Sequence, residues 1–423
     1  MKILNKSYNH DLSIGLQKCC QLCGSSNLNL IIDLGHTPPC DSLLTKEQLN
    51  HPEKHYPLRL FKCDDCDLVQ IDYVVDPKVV FHNEYPYLGG ITETLANNLK
   101  NGAKSFVKSL NLPKDGLAVD LGSNDGTFLS GFKEEGLSVL GVEPTDIAKL
   151  ASKNGINTIQ EFFTEKVATE IVKKHGKASI LTAANMFAHV ASLRDLMKGA
   201  EVLLDDGSYF ITESHYLLEI QNRLQFDSIY HEHLKSYSLK DLVFLFDCYD
   251  FTLVDAERIP NYGGSIRGYA QKGKNGSQTK RLQELLLKEE EANLYDNSTW
   301  ENFTKRVYKA RNDCRYLITD ILNEGKSICG IGCPGRASTL LSFYGLTSNE
   351  IPYIAEQSNC LKVGLFCAGQ HIPVLDEQKM FDEQPEYALM LSWHYSEQII
   401  KNLRKKGLKS KIIIPLPELK VID

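Results

Sequence analysis

The run Tyr230-His231-Glu232-His233 sets two imidazoles, a carboxylate and a phenol side by side, with the phenol of Tyr237 close behind. Histidine titrates nearest neutral pH and is the usual general base, and a flanking carboxylate orients it or raises its proton affinity. The chemistry such a cluster suits is removal of a proton from a substrate. In isolation the same residues would also pass for ordinary polar loop positions, so the surroundings decide.

A second set of reactive groups lies near the start. Cys20-Gln21-Leu22-Cys23 and Cys63-Asp64-Asp65-Cys66 are two CxxC knuckles. Each lets two thiolates grip one ion from a tight turn, and together Cys20, Cys23, Cys63 and Cys66 complete a tetrahedral site suited to Zn2+. Four thiolates leave no open coordination position, so the zinc is expected to be structural. Cys19 is a spare neighbour. The stretch between the knuckles, with His36-Thr37-Pro38-Pro39, reads as irregular, the metal standing in for a small core. Beyond it, Tyr85-Pro86-Tyr87-Leu88-Gly89-Gly90 reads as a loop whose Tyr85 and Tyr87 can line a polar pocket or pack.

The elements that must position a substrate come next. Leu117-Ala118-Val119-Asp120-Leu121 is a short apolar strand, followed by the turn Gly122-Ser123-Asn124-Asp125-Gly126 and a helical run over 127–135. Its glycines allow a tight turn and close approach of a ligand. A second strand ends at Glu143-Pro144, where an acidic side chain can accept both hydroxyls of a ribose. No phosphate-binding loop is present, which favours S-adenosylmethionine, a nucleoside without phosphate, over a dinucleotide. Asp120, Gly122, Ser123, Asn124, Gly126, Glu143 and Pro144 are the expected cradle. Strands over 178–183 and 208–213 keep the rhythm. The first runs into Asn185-Met186-Phe187-Ala188-His189, which places Asn185 and His189 beyond a strand's carboxyl end, where ligands sit in open α/β sheets. Phe162-Phe163 either covers the adenine or belongs to the core. Strands over 251–254 and 265–271 flank a glycine corner at Gly263-Gly264, and Arg267 can pair with phosphate or with a local carboxylate.

Residues 280–322 are charge-rich with leucines at helical spacing and read as one or two amphipathic helices. A second α/β unit follows. The strand at 327–332 turns through Cys333-Pro334-Gly335 into a helix opening at Arg336, a start whose amides and guanidinium suit an anion. Strands are expected over 351–355, 372–375, 388–392 and 411–415. Lys362 and His371, in the loops, are candidate diphosphate contacts.

A chain of 423 residues is long enough for two or three domains. Its net charge of -7 and lack of a long basic run disfavour a nucleic-acid polymer or a membrane surface as partner. The first five residues have no apolar signal core and no stretch is long enough to span a bilayer, so a cytoplasmic location is expected. Its 12 cysteines then read as thiols or metal ligands rather than a disulfide framework.

Taken together, the two CxxC pairs, the 119–127 turn, Asn185-Met186-Phe187-Ala188-His189, Phe226 through His233, Gly263-Gly264-Ser265-Ile266-Arg267 and Gly369-Gln370-His371-Ile372-Pro373-Val374 resemble the nucleotide-sugar C-methyltransferases of deoxysugar biosynthesis. The resemblance covers essentially the whole chain. It implies an α/β protein in three parts: a small four-cysteine zinc domain (1–80), a Rossmann-like class I S-adenosylmethionine methyltransferase domain (81–272), and a second Rossmann-like domain that binds the nucleotide sugar (273–423). It implies His233 as base, with Glu232, Tyr230, His189 and Tyr87 beside it. Phe163 and Asn185 would join the cofactor cradle. Tyr85, Tyr87, His231, Tyr237, Arg267, Pro334, Arg336, Glu356, Lys362 and His371 would meet the sugar or its nucleoside diphosphate. This chain departs from the family's form at Gly89-Gly90, at Tyr262 and at Glu356-Gln357-Ser358. The implied reaction needs a 4-keto group, which acidifies the adjacent C3 hydrogen so that an imidazole can take it. A single copy of the chain would suffice. The competing readings are an O-methyltransferase acting on a sugar hydroxyl and a zinc-containing binding protein without catalysis.

Overall fold

The computed structural model describes residues 8–81 and 93–423, the side chains of 93–95 excepted. Near the front, Leu58 and Leu60 point inward from the strand Tyr56–Cys63, and Ile32 and Leu34 do so from Leu28–Thr37. This alternation is the signature of a half-buried strand. The two pair antiparallel, and Val69–Ile71 and Lys235–Ser236 extend the sheet to four strands. The stretch expected to be irregular is therefore largely strand. Register shifts at Leu30/Ile32 and Asp33/His36 interrupt its period, which hid the pattern.

The central sheet has seven strands in the order Phe251–Ile259, Ser265–Lys272, Leu204–His215, Ala178–Ala184, Leu117–Leu121, Ser138–Val142, Thr158–Ile159. The last five are mutually parallel, and Ser265–Lys272 runs antiparallel to both its neighbours. Leu117–Leu121 is buried along its whole length, as a strand covered on both faces must be. Helices Glu93–Ser109 and Thr127–Glu134 lie against one another on one side. Every parallel strand ends toward the same rim, which holds the glycine turn, Asn185 and His215.

A third sheet carries Val374–Asp376, Ile354–Glu356, Ile328–Ile331, Tyr387–Met390, Lys411–Ile414 and Lys420–Ile422 in that order, parallel except for the final antiparallel strand. The charge-rich connector resolves into two helices, Lys280–Glu291 and Asn297–Asn323. Trp300, Phe303, Val307, Ala310, Cys314, Ile318 and Ile321 form the buried stripe of the second, at three- and four-residue spacing. That helix also touches the N-terminal sheet, where Thr304 Oγ1 donates to Ile31 O at 2.8 Å. Among the described residues no helix is long and apolar enough to cross a membrane.

Close helix packing on the central sheet depends on Gly131. A Cβ there would lie 2.5 Å from Lys100 O and 2.8 Å from the Cβ of Ala103. Backbone cannot yield cheaply, so Gly131→Ala should cost about 1–3 kcal/mol. A denaturant midpoint equal to that of the parent would show that the helices tolerate separation.

Candidate active site

The segment Phe226–Leu234 has little regular structure, and three consecutive side chains in it go three ways. His231 turns to the N-terminal sheet: its Nε2 lies 3.2 Å from Pro57 O and its ring packs edge-on to Tyr56. Glu232 accepts a hydrogen bond from the thiol of Cys40 at 3.0 Å. Burial and the Glu232 charge push that thiol's pKa well up, so it stays a donor. His233 turns inward. Its Nδ1 is 2.6 Å from Ser228 O. A carbonyl only accepts, so Nδ1 carries the hydrogen and Nε2 keeps its lone pair. The Tyr230 ring lies 3.9 Å from the His233 ring, centroid to centroid, and the rings of His215 and His189 lie at 4.7 and 4.9 Å. Burial pushes the His233 pKa down to about 4, against the Ser228 bond and with help from the Arg336 charge. Burial raises the Tyr230 hydroxyl well above its ordinary value. The site thus holds a neutral base beside a protonated phenol.

The link to the glycine turn runs through Asn185–His189. A Cβ on Gly122 would meet the Met186 side chain at 3.2 Å, and Asn185 N donates to Glu213 O at 2.8 Å across the next strand. Gly122, Asn124 and Gly126 have φ of 66°, 51° and 80°, the left-handed turn that this close approach requires. Glu143 accepts from Asn124 N at 3.0 Å and from Thr145 N at 2.9 Å. Ser123 Oγ and Asn185 Oδ1 are buried with no hydrogen-bond partner among the described residues. Orphaned polar atoms on a cradle of backbone amides and a carboxylate fit a nucleoside with ribose hydroxyls and an amino-acid end. Pro144 is half-buried beside Glu143.

The C-terminal part contributes Arg336, the first residue of helix Arg336–Tyr344. Its Nη2 donates to Gln225 Oε1 at 3.0 Å and its Nε lies 3.7 Å from Asp227 Oδ2, which also accepts from Trp393 Nε1 at 2.7 Å. Arg336 Nη1 has no partner among the described residues. Pro334 is half-buried two residues ahead of it.

Several expected contacts are engaged within the fold. Arg267 pairs with Glu213 at 2.9 Å and with Glu257 at 3.5 Å, its neighbours on the two flanking strands, so the local carboxylate wins over phosphate. Lys362 Nζ bonds Asp41 Oδ1 at 2.6 Å and Cys333 O at 3.0 Å. His371 Nε2 meets Glu53 Oε1 at 2.5 Å, and Glu356 braces Cys333 N at 2.8 Å. These three secure the C-terminal part and its contact with the N-terminal part. Tyr237 is a core residue stacked on Phe187, because its position faces the helices rather than the rim. His231 is a strut between parts through Nε2, while its buried Nδ1 has no hydrogen-bond partner among the described residues. Phe163 is buried against Gly199 while Phe162 is exposed, so the core alternative holds for Phe163. Asp120 accepts from Thr182 Oγ1 at 2.5 Å behind the turn; burial and the nearby Glu143 charge lift its pKa to about 7. Tyr85, Tyr87 and Gly89-Gly90 lie outside the described residues. Sequence reasoning did not single out His215, Cys40, Asp41 or Trp393 for the site. His215 had a signal: it stands two residues past the expected strand 208–213, at the rim where ligands bind.

In the front part, the four cysteines are buried with ligand atoms all within 4.8 Å of one another. Sγ separations of 3.5 Å (Cys20–Cys66) and 3.6 Å (Cys23–Cys63) are close to the tetrahedral edge of about 3.8 Å that zinc–sulfur bonds of about 2.3 Å dictate. Cys19 falls outside the group.

This strand order, with a glycine turn after the first strand and a glutamate after the second, defines a class I S-adenosylmethionine-dependent methyltransferase. Family models match three stretches: a putative zinc binding domain at 20–81, a methyltransferase domain at 95–256 and a C-methyltransferase C-terminal domain at 260–417. The chain is 30% identical over 408 residues to C-methyltransferase NovU of Streptomyces niveus, with 96% of each chain covered. It belongs to this C-methyltransferase family. Among solved structures it is similar to an S-adenosylmethionine-dependent methyltransferase of Clostridium acetobutylicum, 11% identical with a TM-score of 0.34 over 42% of this chain and 92% of that one. The PH0226 protein of Pyrococcus horikoshii is similar at 15% identity, with a TM-score of 0.34 over 44% and 96%.

Elemental analysis of the purified protein should give about one zinc per chain. Cys63→Ser should lose the metal and lower the melting temperature, because the knuckles close the front sheet. Retention of a full complement of zinc by that variant would remove Cys63 from the site.

Proposed function

We propose that this C-methyltransferase methylates the carbon beside the ketone of a nucleoside-diphosphate 4-keto-deoxysugar, at C3. The observation that carries the reading is His233: Nδ1 is committed to Ser228 O at 2.6 Å, which leaves Nε2 basic between the cofactor rim and the C-terminal part. The resemblance to the nucleotide-sugar C-methyltransferases supplies the substrate class. Carbon becomes a nucleophile only after deprotonation, and a ketone makes its neighbouring hydrogen removable by spreading the charge onto oxygen. In this reading His233 Nε2 takes the C3 proton, and Tyr230, protonated, stays near as a donor. Glu232 acts at one remove. It is held by Cys40, and it anchors the loop that carries His233. Arg336 is the cation closest to the forming negative charge, and its Nη1 faces no protein partner among the described residues. When bound, S-adenosylmethionine supplies a sulfonium methyl already activated for transfer. Residues 122–126, Glu143 and Asn185 would hold it, and the protein's task is then to align carbon and methyl.

In the same reading the parts divide at 1–80, 81–272 and 273–423, the last holding the nucleotide remote from the reacting carbon and contributing affinity and orientation. The partner is the nucleotide sugar. The test is incubation with methyl-labelled S-adenosylmethionine and a panel of nucleoside-diphosphate keto-sugars, with the labelled position read by NMR. Label on a ring carbon next to the ketone is expected; label on oxygen would overturn the reading.

His233→Ala should lose about 10²–10⁴-fold in methyl transfer while S-adenosylmethionine still binds. Undiminished turnover would exclude His233 as the base. The pH profile carries a second prediction. The base must be neutral, and its pKa is pushed down to about 4, so activity persists below the ordinary 6.5 and falls only as pH approaches 4. An acid limb of kcat/KM centred near 6.5 would contradict this assignment.

A further inference from the structure

His215 is the last residue of strand Leu204–His215, and its backbone pairs with Ser265 beside the glycine corner. Its ring sits 4.7 Å from that of His233 and 5.9 Å from that of Tyr262. It is half-buried, and neither ring nitrogen makes a hydrogen bond among the described residues. Of the other imidazoles, His233 is tied to Ser228 and His231 reaches Pro57 O. His189 shares with His215 the lack of a hydrogen bond among the described residues, but the face of its ring is covered by Phe81 at 5.8 Å. His215 therefore carries a ring N–H next to His233 with no acceptor for it among the described residues.

We propose that His215 is a catalytic residue whose ring N–H donates a hydrogen bond to the ketone oxygen as C3 is deprotonated. This rests on the keto-sugar reading given above. The C3–H bond breaks, and the proton goes to His233 Nε2. The C–H electron pair forms the C3–C4 double bond, and the carbonyl π pair moves onto oxygen, where His215 meets it. The reacting carbon and that oxygen are joined through one carbon, so base and donor must reach atoms only two bonds apart, which two rings 4.7 Å apart suit. Burial, with the charges of His233 and Arg336 near it, holds the His215 pKa well below its ordinary value, so the ring donates as a neutral imidazole. A neutral donor binds the growing oxyanion without giving up its proton, and it leaves the base uncharged beforehand.

The test uses the full-length protein with S-adenosylhomocysteine bound and a nucleoside-diphosphate 4-keto-6-deoxyhexose in deuterium oxide. Deuterium uptake at C3 is read by NMR against the uncatalysed rate. His215→Leu should slow exchange about 10²–10³-fold, the usual loss for one oxyanion donor, with cofactor affinity by calorimetry unchanged. His215→Gln and His215→Asn each keep an amide N–H, near Nε2 and Nδ1 respectively, and one of them should recover much of the rate. They also carry the test if the leucine variant does not fold. Exchange at the parental rate in all variants overturns the role of His215 and leaves the ketone chemistry standing. Loss of cofactor affinity in step with exchange makes His215 structural and likewise overturns it. A parent protein that exchanges no C3 hydrogen overturns the keto-sugar reading, and this role with it.

Discussion

The hydroxyl of Thr339 donates to Ile229 O at 2.9 Å, and around that contact the loop bearing the base is held by all three parts of the chain. Arg336 and Trp393 grip Gln225 and Asp227 from the C-terminal part. His231 and Glu232 reach Pro57 O and Cys40 in the N-terminal part, and Lys235 and Ser236 pair with Gln70 and Val69 as an added strand. Leu234 N donates to Ala188 O at 3.1 Å, which ties the loop to the segment leading from the glycine turn. A loop of eight or nine residues loses considerable conformational entropy when fixed, about 1–2 kcal/mol per residue. No single neighbour could offset that. The front sheet therefore bears on the site without reaching into it, and with the C-terminal helix start it fixes where His233 points.

The second constraint is charge in a dry setting. His189, His215 and His233 crowd one another, and burial lowers the proton affinity of each. Three imidazoles so close could not share the space if protonated. Arg336 supplies a permanent positive charge beside the cluster. Asp227 beneath it neutralises that charge in part, and burial raises the carboxyl's own proton affinity. The arrangement disfavours positive charge on the base at rest and favours negative charge on a ligand. That is the polarity a carbanion-forming reaction needs.

Much of the fold was legible in the sequence because its signals are local. The strand, glycine turn, helix and strand over 117–143, the second α/β unit and the amphipathic helices over 280–322 all come from periodicity and turn chemistry within a few residues. The front sheet was not legible, since bulges break the alternation of Leu28–Thr37 and its partner strand lies twenty residues away. For the site, the imidazole-rich run over 230–233 and Arg336 could be named from residue type and placement, while the choice of His233 within that run came from the resemblance. Lys362, His371, Glu356 and Arg267 could be named too, but as ligand contacts, because a charged loop residue looks the same whether its partner is a diphosphate or a carboxylate elsewhere in the chain.

The sequence by itself determined the class: four cysteines spaced for one ion, a nucleoside cradle without a phosphate loop, and an imidazole-rich run between two α/β units. Each is set by residue type over a short span. Only the tertiary structure decided which histidine enters the ring cluster, since His231 and His233 lie two residues apart and point to different parts of the protein. It also decided which tautomer His233 holds, through a carbonyl five residues back, and brought His215 beside it from another strand. Direction and proximity are properties of packing, and packing sums contacts that no local window contains.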